Sequence, residues 1–190
     1  MALTLFACAL AGCGGEKSAA KFQLTDITGA SWGRKLELTD HNGQRRTLGD
    51  FKGKVVVLFF GFTHCPDACP TTLAELATVA RELGTDADKL QVLVVTVDPE
   101  RDKPEVLRQY VPSFNPAFLG LYGTPEETTA AAKEFKVYFQ KQPQPGGSYS
   151  MDHSAGTFVI DGEGRLRLFG QYGAGAKALL HDIRLLLDGS

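Results

Sequence analysis

Two thiols stand four residues apart in Gly61-Phe62-Thr63-His64-Cys65-Pro66-Asp67-Ala68-Cys69-Pro70, and their setting decides what chemistry they can carry. Val55 to Phe60 is a continuous apolar, largely β-branched and aromatic run, the pattern of a strand buried on both faces. Leu73, Leu76, Ala77, Ala80 and Leu83 then follow at helical spacing. Cys65 and Cys69 therefore fall in a strand-to-helix loop. Each precedes a proline and is pushed toward extended geometry. Pro70 suits the first position of a helix, which makes Cys69 the expected N-cap and sets its sulfur near the positive end of the dipole, where a thiolate is favoured. Deprotonated sulfur serves a soft metal ion and a disulfide exchange reaction equally. The loop alone leaves both open. A purely structural disulfide accounts less well for the flanking prolines and the loop position.

Copper(I) favours thiolate sulfur with imidazole, so a two-cysteine site would seek a histidine. His153 is the best candidate. It lies in Tyr149-Ser150-Met151-Asp152-His153-Ser154-Ala155, which joins a polar Pro/Gly loop over 142–148 to a strand, and it stands 84 positions past Cys69. Only folding can bring it to the sulfurs. His64 adjoins Cys65 in a chain extended before proline, which directs its side chain away from that thiol. His41 in a turn and His181 on the last helix read as exposed. Met151 reads as a packing residue rather than a sulfur donor. Asp98, Glu100, Arg101 and Asp102 read as caps of the following helix.

Around these residues, Lys35 to Thr39 and Gln44 to Thr47 flank the Asn42-Gly43 turn signal as an N-terminal hairpin. Val92 to Val97 is a second buried run, followed by a helix around Glu105 to Val111 and a short strand at Phe118 to Leu121. Thr124-Pro125-Glu126-Glu127 opens a helix that ends near Phe135, and Val137 to Lys141 is extended. The 142–148 loop shows neither period and would suit a flap. Thr157 to Ile160 and Leu166 to Phe169 form a closing hairpin, and Leu179, Leu180, Ile183, Leu186 and Leu187 stripe a final helix. The sum is an α/β fold, a mixed sheet flanked by helices with a closing hairpin plus helix. A thioredoxin-like fold keeps its reactive thiols in such a loop after the first central strand. Neither buried run leads into a Gly-rich fingerprint, which sets a nucleotide-binding fold aside.

Composition adds limits. The 190 residues, 43% hydrophobic and 22% charged, suit one domain with a substantial core. A formal net charge of −2 with scattered basic residues argues against nucleic acid as a partner. Residues 1–12 read as a signal peptide, although no Lys or Arg precedes Lys17. Leu10-Ala11-Gly12-Cys13 is similar to a bacterial lipobox, which makes Cys13 the expected lipidation site and removes Cys8 with the leader. Residues 13–21 read as a tether and 22–190 as the folded domain. The expected location is the cell envelope, with the chain anchored to a membrane through lipid and facing the periplasm or extracytoplasmic space.

The loop from Gly61 to Pro70, Val97-Asp98-Pro99-Glu100-Arg101-Asp102, Gly123-Thr124-Pro125-Glu126 and Asp152-His153-Ser154-Ala155 together resemble the SCO/SenC family of copper chaperones for cytochrome c oxidase. The resemblance runs from about Phe22 to the C-terminus. It implies a thioredoxin-like fold held at a membrane, with Cys65, Cys69 and His153 binding one copper ion, as copper(I), copper(II) or both. It also implies delivery to the binuclear copper site of cytochrome c oxidase subunit II, after supply by an upstream copper donor. Two thiolates and a neutral imidazole neutralise copper(II) and leave copper(I) with one excess negative charge, so oxidation state should alter how firmly the ion is held. Asp152 beside His153 is a candidate to orient the ring or tune release, and Asp67 to adjust the loop. Two enzymatic readings compete. A membrane-tethered thiol-disulfide reductase of the oxidase subunit cysteines would use the same pair, Cys65 and Cys69, and a peroxidase or redox sensor would need a low-pKa thiol open to peroxide. Metallochaperone is the preferred reading over either enzyme.

Overall fold

The structure is a computed structural model that describes residues 21–189; the expected leader, Cys13 and nearly all of the expected tether lie outside them. In chain order the strands and helices are β1 (Thr25–Asp26), β2 (Glu37–Asp40), β3 (Arg45–Thr47), β4 (Val55–Gly61), α1 (Ala68–Glu82), β5 (Leu90–Thr96), α2 (Pro104–Tyr110), β6 (Leu119–Tyr122), α3 (Pro125–Glu134), β7 (Phe139–Pro143), β8 (Tyr149–His153), β9 (Gly156–Ile160), β10 (Leu166–Gln171) and α4 (Gly175–Leu187). Eight strands form one mixed sheet in the order β1-β10-β9-β4-β5-β6-β2-β3, and β7 and β8 form a separate two-stranded ribbon. Strands β4, β5 and β6 are parallel; the outer strands, β9 among them, pair antiparallel. Among the described residues no helix is long and apolar enough to cross a membrane.

The two apolar runs became the two central strands because each is covered on both faces, and every residue of β4 and β5 is buried. Alternation along β4 sends Phe60 into an aromatic cluster with Phe135 and Phe158. Phe59 and Gly61 point the other way, toward Cys69 and Leu73 of α1 and Leu107 and Tyr110 of α2. Full burial of a phenylalanine contributes about 1.5–3 kcal/mol, so this layer holds the end of β4 firmly. α4 packs beside α1. The expected hairpins appear as β2–β3 and β9–β10.

The polar stretch 142–148 is largely the expected loop: Gln142 and Pro143 extend β7 and pair with Ser150 and Tyr149, and the rest is a tight turn in which Gly146 and Gly147 adopt positive φ. Backbone pairing builds this ribbon from half-buried and exposed side chains that are mostly polar, so it leaves little apolar alternation to detect. His41 is buried rather than exposed. Its N–H donates to the Gly120 carbonyl and its ring Nδ1 accepts the Gly120 N–H, so the hairpin is sewn to β6. Burial pushes the His41 ring pKa down and keeps it neutral in this acceptor role.

Candidate metal centre

The cysteine loop leaves the C-terminal end of β4, the edge at which open α/β sheets gather their ligands. Its entry is pinned by Asp102, which is 1% exposed. That carboxylate accepts the Thr63 N–H at 3.0 Å, the Thr63 hydroxyl at 2.5 Å and the Thr96 hydroxyl at 2.6 Å. Asp102 was expected to cap α2. It faces the other way, and Lys103 occupies the N-cap of α2 without a side-chain cap.

α1 starts one residue before Cys69. Its N-cap is Asp67, whose carbonyl accepts the Thr71 N–H, which corrects the expectation that Cys69 is the N-cap. Pro70 still fits, because the third helical position, like the first, has an N–H without an intrahelical partner. The shift gives Cys69 a free N–H, and this donates to the Cys65 sulfur at 3.3 Å. Cys65 thereby supplies the capping acceptor that a side-chain oxygen usually provides. Gly61 is required beside it: a Cβ there would lie 3.0 Å from the Cys69 sulfur and 2.6 Å from the Phe59 ring.

Burial also overturns the expected ionisation of Cys69. The residue is 1% exposed, and desolvation, reinforced by the Cys65 side chain and the Asp102 charge, pushes its thiol pKa well up despite a backbone hydrogen bond from Phe62. The helix dipole does not compensate. Without metal, Cys69 is a thiol.

His153 closes β8 and arrives over this thiol from the far side of the chain. Its Nε2 stands 3.6 Å from the Cys69 sulfur, and its ring meets Phe59 and Phe62 edge to face, with centroids 6.4 and 5.7 Å away. The other ring nitrogen, Nδ1, is 3.1 Å from the Ser154 carbonyl oxygen. A carbonyl can only accept, so Nδ1 carries the proton and Nε2 presents its lone pair to the sulfur. Burial lowers the ring pKa, with the Ser154 carbonyl and the Asp152 charge opposing more weakly, so the imidazole is neutral. The Cys69 S–H donates to it. Both cysteines are free, and one ligand atom from each of Cys65, Cys69 and His153 lies within 4.8 Å of the others. Two sulfurs and a neutral imidazole in that space suit one soft metal ion, whose arrival would displace the thiol protons.

The neighbours are arranged differently from expectation. Strand alternation places Tyr149, Met151 and His153 on one face of β8 and turns Asp152 outward, where it accepts from Gln142. Ser154, not Asp152, fixes the ring. Asp67 is exposed and accepts from the Thr71 hydroxyl at 3.4 Å, without reaching either sulfur. Met151 is buried in packing, and His64 bonds to the Thr63 hydroxyl outside the cluster. His181 is exposed and pairs with Asp182.

With the geometry in place, comparison with known proteins is decisive. The SCO1/SenC family model matches residues 19–188. The chain belongs to the SCO1/SenC family. It is 44% identical over 132 residues to the mitochondrial SCO2 homologue of Danio rerio, covering 68% of this chain and 47% of that protein. It spans about half the length of such mitochondrial relatives. The copper-bound structure of Bradyrhizobium japonicum ScoI is similar at a TM-score of 0.76 with 39% identity, over 83% of this chain and 100% of that one. Apo Sco1 of Thermus thermophilus matches at 0.78 with 40% identity, over 90% of this chain and 99% of that one. This Sco chain therefore has the expected thioredoxin-like fold.

Proposed function

We propose that this Sco chain is a copper metallochaperone that holds one copper ion between Cys65, Cys69 and His153 and passes it to the binuclear copper site of cytochrome c oxidase subunit II. The observation that carries the reading is the convergence of two free thiols and a proton-oriented imidazole within 4.8 Å, from positions 84 residues apart. Family membership and the copper in the Bradyrhizobium ScoI structure support the choice of ion. An upstream donor supplies the copper, and a lipid on Cys13 holds the chain at a membrane of the cell envelope.

A second reading, a reductase of the oxidase subunit cysteines, draws on the two unbridged thiols at a helix start. The buried, proton-holding Cys69 counts against it, because exchange proceeds through thiolate. Anaerobic copper loading of the protein separates the readings. The metallochaperone binds one ion per chain; Cys65→Ala and Cys69→Ala each abolish or sharply weaken that binding, and His153→Ala weakens it, most of all for copper(II). Absent copper, with insulin reduction that survives His153→Ala, would establish the reductase instead.

A further inference from the structure

The ribbon that carries His153 has no strand pairing to the main sheet, and a two-stranded hairpin is marginal by itself. At the imidazole end the ring rests on Phe59, Phe62 and the Ser154 carbonyl. The turn between β5 and α2 holds the other end of β8 through a closed triangle. Asp98 accepts the Arg101 Nε–H at 2.5 Å and the Tyr149 hydroxyl at 2.8 Å, while Arg101 Nη1 donates to the Tyr149 carbonyl at 2.9 Å. The guanidinium also stacks on the Tyr149 ring, 3.7 Å from its centroid. Lys141 of β7 lies 3.9 Å from the same centroid and pairs with Glu100 at 2.7 Å. Two cations that close to one ring must occupy opposite faces, so Tyr149 is sandwiched.

The same turn holds the cysteine loop. The Asp98 N–H donates to the Thr96 hydroxyl, that hydroxyl donates to Asp102, and Asp102 receives Thr63. Tyr149 opens β8 and His153 closes it on the same face, about 13 Å along a strand. One short segment thus grips the thiol-bearing loop with one carboxylate and the imidazole-bearing ribbon with another. Burial and the Asp98 carboxylate push the Tyr149 phenol up to about 12, which keeps it a donor.

We propose that the Asp98–Arg101–Tyr149 clasp sets the oxidation-state preference of the site by holding His153 over the two sulfurs. Closed, the clasp provides the three-ligand set, two thiolates and an imidazole, that neutralises and retains copper(II). Open, it leaves two thiolates, which satisfy soft copper(I) at low coordination number and hold copper(II) poorly. Asp98, Arg101 and Tyr149 are positioning residues in this scheme and touch no metal. The inference rests on the copper reading above, and its test separates the two.

Tyr149→Phe removes one oxygen and keeps the ring. Copper(II) affinity is expected to fall about tenfold, as loss of a hydrogen bond to a charged group predicts, with copper(I) affinity changed less than about threefold. In a His153→Ala background the same substitution should change neither, because its effect passes through the imidazole. In the metal-free protein the His153 ring-proton resonance should shift or broaden. Arg101→Lys, which keeps the charge but loses the fork, should move every readout the same way. Equal effects on both oxidation states, or an effect that persists without His153, would overturn the clasp. A parent chain that takes up no copper would overturn the metallochaperone reading instead. The metal-free His153 resonance then decides the clasp alone: an unmoved line overturns it, and a moved line upholds its hold on the ring.

Discussion

The two halves of the site are built to different standards. Cys65 and Cys69 stand on the end of a fully buried strand and the first turn of a helix, tied down by a buried carboxylate and packed against Gly61. His153 stands on a half-buried ribbon outside the main sheet, held by polar and stacking contacts. The sulfur half is a cradle built into the main sheet and a helix, and the imidazole half is an arm held from outside that sheet. On the proposed metallochaperone reading, this difference makes the arm the part that tunes retention. The cradle fixes where the ion sits, while the arm governs how tightly it is kept.

Acid should attack the cradle most strongly. The Cys69 thiol pKa is raised by burial, so at any pH below that value copper must displace a proton, and affinity falls as pH falls. Each displaced proton lowers affinity about tenfold per pH unit, or about a hundredfold between pH 7 and pH 5. The His153 pKa is lowered, so the ring adds no competing proton until pH drops below its depressed value. Anaerobic competition titrations across that range check the slope; a flat profile would mean that the sulfurs are already ionised. Gly61→Ala should come next in size. Its new Cβ would collide with the Phe59 ring and press on the Cys69 sulfur, at an expected cost of about 1–3 kcal/mol in urea unfolding. The smallest effect belongs to the arm. Lys141→Ala removes an exposed ion pair and should change unfolding free energy by no more than about 1 kcal/mol, while leaving the cradle intact. A reversal of these last two would invert the comparison.

The sequence makes the cradle legible and hides much of the arm. Val55 to Phe60 and Val92 to Val97 announce themselves because complete burial demands continuous apolar runs. The cysteines and His153 were identifiable from residue type and local context. The extended reading of Val137 to Lys141 anticipates part of β7, but its pairing with β8 stays hidden, since Gln140, Gln142, Ser150 and Asp152 pair through backbone and carry no apolar period. The burial of His41 depends on Gly120, 79 residues away, a contact that no local pattern encodes. The functions of Asp98 and Asp102 were hidden for the same reason. Each looks like a helix cap in sequence, yet their partners, Tyr149 and Thr63, lie 51 and 39 positions distant. The Cys69 thiol was misjudged because dipole position is visible in a sequence and desolvation is not.

X-ray absorption at the copper edge of the copper(II)-loaded chain is the most direct measurement of the central claim. The account predicts two sulfur scatterers and one imidazole per copper, with the imidazole signal gone in His153→Ala. An imidazole signal that is absent from the parent, or unchanged in that variant, would contradict it.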